Sequence, residues 1–185
     1  FGEIWISANK GDFDIDTELS LKKGTYMQEE FDELILTCLY KNGILHIDDL
    51  SMTKKGLMGL QASGIVPILK SEIRETPISL SSNFSNLPLK FIHRFIPNFY
   101  NLEGYSNGSI NISGILDSTS FKYDFNVKGA KFDIIDLGYF ISKGVYNGKT
   151  LYVEKVISES SSGSIYGAGT LPFDFNLGSK NFGKF

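Results

Sequence analysis

Residues 11–21 read GDFDIDTELSL. Acidic residues recur at every second position, Asp12, Asp14, Asp16 and Glu18, and the alternate positions hold Phe13, Ile15, Thr17, Leu19 and Leu21. Two structures could produce this pattern, a calcium loop or a β-strand with one polar face. An EF-hand loop starting at Asp12 needs Gly at its sixth position and a carboxylate at its twelfth. Thr17 and Lys23 stand there instead. A strand needs only the alternation, because successive side chains point to opposite faces. The stretch is therefore read as a strand with one wet face and one apolar face.

The same period of two recurs along the chain. "EIWIS" alternates around Ile4 and Ile6, "SINISG" around Ile110 and Ile112, and "FKYDFNV" sets Phe121, Tyr123, Phe125 and Val127 on one face. "SIYGAGTLPFDFNL" does the same with Ile165, Leu171, Phe173, Phe175 and Leu177. Asn42-Gly43 and Asn147-Gly148 lie between apolar runs and predict tight hairpins. One stretch, "SNLPLKFIHRFIPNF", breaks the pattern. Ser85 or Asn86 can cap, Pro88 suits a first turn, Pro97 a stop, and Leu89, Ile92 and Ile96 have helical spacing. A short amphipathic helix is expected over 87–96.

A repeat underlies the pattern. Gly24, Gly43, Gly64 and Pro67 recur 105 residues later as Gly129, Gly148, Gly169 and Pro172. Upstream the offset is 106, matching Gly2 to Gly108 and Ile15, Leu19 and Leu21 to Phe121, Phe125 and Val127. The change is assigned to the turn "LKKG" against "VKG". Copy one covers about 1–107 and an incomplete copy two covers 108–185. The acidic positions of copy one become Lys122, Asp124 and Asn126 in copy two, while the apolar positions keep their character. The apolar side is therefore where function is sought. Its candidate lining is Phe13, Ile15, Leu19, Leu21, Phe121, Tyr123, Phe125, Val127, Ile165, Leu171, Phe173 and Phe175.

Composition excludes several classes. With 185 residues, 18 Lys+Arg against 21 Asp+Glu and a net charge of −3, the chain has no basic footprint for nucleic acid. Cys38 is the single cysteine, and His46 and His93 lack ligand spacing, so no metal or other cofactor is expected. No phosphate-binding glycine loop, nucleophile elbow or Ser-His-acid order is present, and the chain is read as not an enzyme. It begins at Phe1 inside a strand pattern and is read as a fragment of a longer protein.

"IPNFYNLEGYSNGSINISGIL", "YNGKTLYVEKVISESSSGSIYGAGTLPFDF" and "KNGILHIDDLSMTKKGLMGLQASGIVPI" resemble the strand and Gly-x-Leu-Pro endings of the TamB and AsmA-like repeat family, bridge-like lipid-transfer proteins. The family's amino-terminal membrane anchor and a carboxy-terminal barrel-docking segment are not recognisable in the chain. The resemblance implies an all-β fold, an elongated antiparallel sheet curled into a β-taco-like half-pipe, apolar inside. It implies a segment of a periplasm-spanning hydrophobic groove that carries phospholipid between the inner and outer membranes and supports outer-membrane biogenesis. The partners it implies are phospholipid acyl chains and an Omp85-type outer-membrane barrel. The barrel would be reached through other parts of a parent anchored in the inner membrane of a diderm bacterium. The residues alone leave a second reading open, a β-sandwich interaction or adhesin-like module with a dry core and no ligand. They also set an expectation for charge: a trough open to lipid tolerates Phe125→Arg or Phe173→Glu, whereas a closed core does not.

Overall fold

A computed structural model describes residues 2–9, 12–26, 29–55, 57–68, 76–91, 101–115 and 118–172; for 2–9, 12, 13 and 29 only the backbone is described. The chain is all-β. Its strands are β1 (Gly2–Asn9), β2 (Asp12–Tyr26), β3 (Glu29–Lys41), β4 (Ile44–Lys54), β5 (Met58–Pro67) and β6 (Ile78–Pro88), then β7 (Leu102–Gly114), β8 (Ser120–Phe132), β9 (Ile135–Asn147), β10 (Thr150–Ser160) and β11 (Gly163–Pro172). They form one 11-stranded antiparallel sheet in chain order, with β1 and β11 at its edges. The described strands make a single sheet, not two sheets facing each other. Helical geometry among the described residues is limited to a 3₁₀ turn, Leu89–Phe91, and Ser118 ahead of β8.

That turn corrects the helix expected over 87–96. Leu87 and Pro88 end β6, opposite Ser106 and Tyr105, and only 89–91 coil. Residues 92–96 lie outside the described residues. Pro88 was read as a first-turn proline, but a missing N–H is equally tolerated at the end of a strand.

Residues directly opposite in antiparallel strands share a face, so the register sorts every side chain. One row crosses eight strands, from β2 to β9, as Leu19, Leu36, Leu50, Ala62, Ser82, Ile110, Tyr123 and Gly144. The next is Leu21, Leu34, Met52, Leu60, Phe84, Gly108, Phe125 and Ser142. On the other face a row runs Ser20, Ile35, Ser51, Gln61, Asn83, Ser109, Asp124, Lys143 and Lys155. From β2 to β9 one face is thus predominantly apolar and the other predominantly polar, with Ile35, Leu39, Ile65, Ile141 and Val145 as apolar exceptions on the polar face.

The register also repeats. Ile15 faces Tyr40 as Phe121 faces Tyr146, Leu21 faces Leu34 as Val127 faces Phe140, and Thr37 faces Asp49 as Lys143 faces Lys155. Every one of these residues is shifted by 106. The bulge between Ile47 and Leu50 in β4 reappears between Val153 and Val156 in β10. The offset becomes 105 only from β5 to β11, because three residues separate Lys54 of β4 from Met58 of β5 and two separate Ser160 of β10 from Gly163 of β11. The one-residue slack therefore lies there, and not at "LKKG" as the sequence suggested. The Asn-Gly signals differ for the same reason. Asn42 (φ 50°) and Gly43 (φ 78°) are the two turn residues expected of a type I′ hairpin. In copy two the turn is Gly148–Lys149, and Asn147 still pairs with Ser120 inside the sheet.

Gly64 shows how closely the strands pass. It sits at φ 149°, and a Cβ there would lie 1.9 Å from the Ser79 carbonyl oxygen of β6. Gly64→Val is expected to destabilise the chain by about 2–4 kcal/mol. Urea unfolding monitored by circular dichroism checks this, as a fall in midpoint without a change in slope.

Candidate functional site: the apolar face of the sheet

The register places Ile15, Leu19, Leu21, Phe121, Tyr123, Phe125, Val127, Ile165 and Leu171 on the same face of the sheet. The backbone of Phe13 pairs with that of Ala8, but its side chain lies outside the described residues, as do Phe173 and Phe175. The face is not uniform. Val127 is 1% exposed and Tyr123 8%, whereas Leu21, Ile165 and Leu171 are 42%, 59% and 55% exposed.

Burial concentrates where the 3₁₀ turn meets the face. Phe91 packs with Phe31, Met52, Met58, Phe84 and Leu87, a cluster drawn from β3 to β6. Two residues earlier, Leu89 packs with Val127 and Ala130, with Leu102, Leu137 and Phe140 beside them. Phe125 touches both clusters. Phe91 also stacks on Tyr26 of β2, with ring centroids 5.7 Å apart. Towards the opposite strand ends burial is uneven: Ile15, Tyr40, Leu45 and Val66 are only partly buried, whereas Ile78 and Tyr146 are buried. The apolar face therefore has a closed end under the turn and, away from it, an open stretch across β2–β5. Along β8 an aromatic ladder runs between the strand ends: Phe121 stacks on Tyr146 at 4.8 Å, and Tyr123 and Phe125 lie 5.6 Å apart.

Four serine hydroxyls on this face are bonded within the sheet. The Ser106 hydroxyl donates to the Leu87 carbonyl at 3.0 Å, Ser158 to Leu137 at 2.8 Å and Ser82 to Ile110 at 3.2 Å. Ser142 donates to the Tyr123 hydroxyl at 3.3 Å. A hydroxyl bonded to its own sheet presents little polarity to a neighbour. The charged pairs are elsewhere, as in Lys143 with Glu154 at 3.3 Å and Lys131 with Glu103 at 3.9 Å. Exposed pairs of this kind add little stability. Two shallow hollows, of about 230 and 360 Å³, are lined by polar and charged residues such as Asp49, Gln61 and Asn83, or Lys22, Asp32 and Lys55.

The β3–β6 share of the apolar face, Leu34, Leu36, Leu50, Met52, Leu60 and Phe84, was missed in the sequence. "ELILTCLYK" is apolar at both parities, with Ile35 and Leu39 on the polar face, so alternation gives no phase. In β4 the bulge shifts the phase, and Leu45 and Ile47 share a face with Leu50 and Met52.

Asp14, Asp16 and Glu18 lie on the polar face. Asp16 faces Leu39 and Glu18 faces Thr37 across β2 and β3, and Asp14 accepts from the Lys41 ammonium at 3.0 Å. Among the described residues no group of three or more His, Cys, Asp or Glu could hold a metal ion. Residues two apart on a strand are about 6–7 Å apart, too far for three short side chains to converge on one ion without a turn. Millimolar calcium or a chelator is expected to leave the melting temperature unchanged. A calcium-dependent rise of several degrees in a thermal melt would restore the metal reading.

No protein-family model matches the chain, and no curated protein or solved structure is significantly similar to it.

Proposed function

We propose that the sheet is curled lengthwise into a half-pipe whose apolar face holds phospholipid acyl chains, and that the chain is a segment of a lipid-conducting groove. One observation carries this reading. An apolar face continuous across the strands of one sheet is covered, among the described residues, by a single three-residue turn. Such a face needs another element, a partner or a ligand to shield it from water.

The curl is supported by the Tyr26–Phe91 stack. Three strands separate β2 from β6, a distance of about 19 Å across a flat sheet, and Phe91 is only three residues beyond the end of β6. Curvature brings β2 towards β6 and lets so short a turn lie between the walls. Length is also consistent with acyl chains. From the row of Phe84 to Ile78 the face runs six residues, about 20 Å. One leaflet of a bilayer core is about 15 Å deep, so one acyl chain fits along it.

The resemblance to TamB and AsmA-like proteins supplies the context proposed for the parent. That context is a periplasmic bridge, anchored in the inner membrane, that delivers phospholipid for outer-membrane biogenesis and meets an Omp85-type barrel through its other parts. The chain itself has no catalytic role in this reading.

The test is mass spectrometry of lipids that co-purify with the folded chain. Phospholipid at a fixed stoichiometry, displaced by detergent, is the expected result. A folded chain that carries no lipid after gentle extraction would favour a dry interaction module instead.

A further inference from the structure

The Leu89–Phe91 turn crosses the apolar face from wall to wall. Leu89 and Phe91 are each 7% exposed. Phe91 packs among side chains of β3 to β6 and stacks on Tyr26 of β2. Leu89 packs on Val127 and Ala130 of β8, with Leu102 of β7 and Phe140 of β9 beside them. Through these two clusters, two side chains of one short turn engage every strand from β2 to β9. A protein interior at its usual packing density has no room for a further chain of methylenes. An acyl chain lying along β3–β5 is stopped where it meets the Phe91 cluster.

The register sets the distance to that stop. Leu34 and Leu60 pack against the Phe91 cluster. Tyr40 and Val66 lie six residues further along the same two strands, and both face Leu45. Six residues of strand span about 20 Å. The acyl chains of one bilayer leaflet fill a depth of about 15 Å. A chain of membrane length therefore fits between the open stretch and the turn, and a much longer one does not.

We propose that Leu89 and Phe91 form an end wall that limits the length of acyl chain the face accepts, with Phe91 as the residue that sets the limit. This rests on the acyl-chain reading of the face and adds a chain-length preference to it. Each methylene buried in an apolar site raises affinity about fourfold. A methylene beyond the wall is not buried, and the gain stops there. A groove without a wall gives no such break.

The probe is a series of saturated fatty acids, from about 10 to about 22 carbons, kept below their micelle concentrations. Each displaces a fluorescent fatty acid from the 185-residue chain. Wild-type affinity is expected to rise about fourfold per methylene and then level off. Phe91→Ala shifts the levelling to longer chains, so the first acid beyond the wild-type limit binds at least about fourfold tighter than it does to wild type. Phe91→Leu keeps more of the packing and shifts the limit in the same direction by less, and thermal melts of both variants establish that they are folded. A merely structural role for Phe91 would weaken all chain lengths alike. That result, or a wild-type affinity that climbs without levelling, overturns the end wall and leaves the acyl-chain reading standing. A folded wild-type chain that binds no fatty acid of any length overturns both.

Discussion

Val127→Asp abolishes folding of the chain. Val127 is 1% exposed, faces Ser106 and Phe140 across its two neighbouring strands, and lies directly beneath Leu89. It belongs to an apolar cluster with Leu89 and Ala130, flanked by Leu102, Phe125, Leu137 and Phe140. A carboxylate buried among such side chains costs about 3–5 kcal/mol or more. That is a large part of the roughly 5–15 kcal/mol that holds a domain together. Circular dichroism of the purified variant, with solubility on expression as a second readout, checks the outcome. Val127→Ala separates charge from volume, since loss of two buried methyl groups costs only about 1–3 kcal/mol and leaves a folded protein. Phe125→Arg belongs with Val127→Asp. The sequence suggested that it would be tolerated on a lipid-filled wall, but Phe125 packs into both clusters at the closed end.

Leu45→Glu gives the opposite result, a folded protein that no longer carries lipid. Leu45 faces Tyr40 and Val66 at the open end, where all three are partly buried. A glutamate there reaches water, and the lost burial costs about 1 kcal/mol. Against an acyl chain the same carboxylate must be dehydrated, and lipid retention is expected to fall at least about tenfold. Asn83→Glu, on the exposed polar face, is the control for charge and leaves lipid retention unchanged. Lipid-to-protein ratio by mass spectrometry, with thermal melts of the same samples, checks both halves of the expectation. Retention unchanged in Leu45→Glu would place any lipid elsewhere on the molecule.

The apolar face was readable in β2 and β8 because there the alternation is clean. Asp16 and Glu18, or Lys122 and Asp124, flank residues that all turn the same way. It was unreadable in β3, where both parities are apolar, and in β4, where the extra residue of the bulge reverses the phase between Ile47 and Leu50. The turn at 89–91 was legible only as a departure from strand pattern. Pro88 and the spacing of Leu89 and Ile92 fit a helix as well as a strand end followed by a coil. What decides the structure is Asn86, at φ 50°. It breaks the β6–β7 ladder between Phe84 and Leu87 and so returns Leu87 to the apolar face. The repeat was visible in the glycines, but its one-residue slack was misplaced. Gly43 and Gly148 align by name and not by position in their turns.

The apolar face is argued to meet acyl chains and the polar face to meet water. A photoreactive benzoylphenylalanine placed at Leu45 in one chain and at Asn83 in another tests that division directly. Each chain is irradiated in cells and the adducts are weighed. Phospholipid adducts from position 45 and none from position 83 are the predicted result. Equal labelling at both positions, or no lipid at position 45 in a folded chain, would contradict the account.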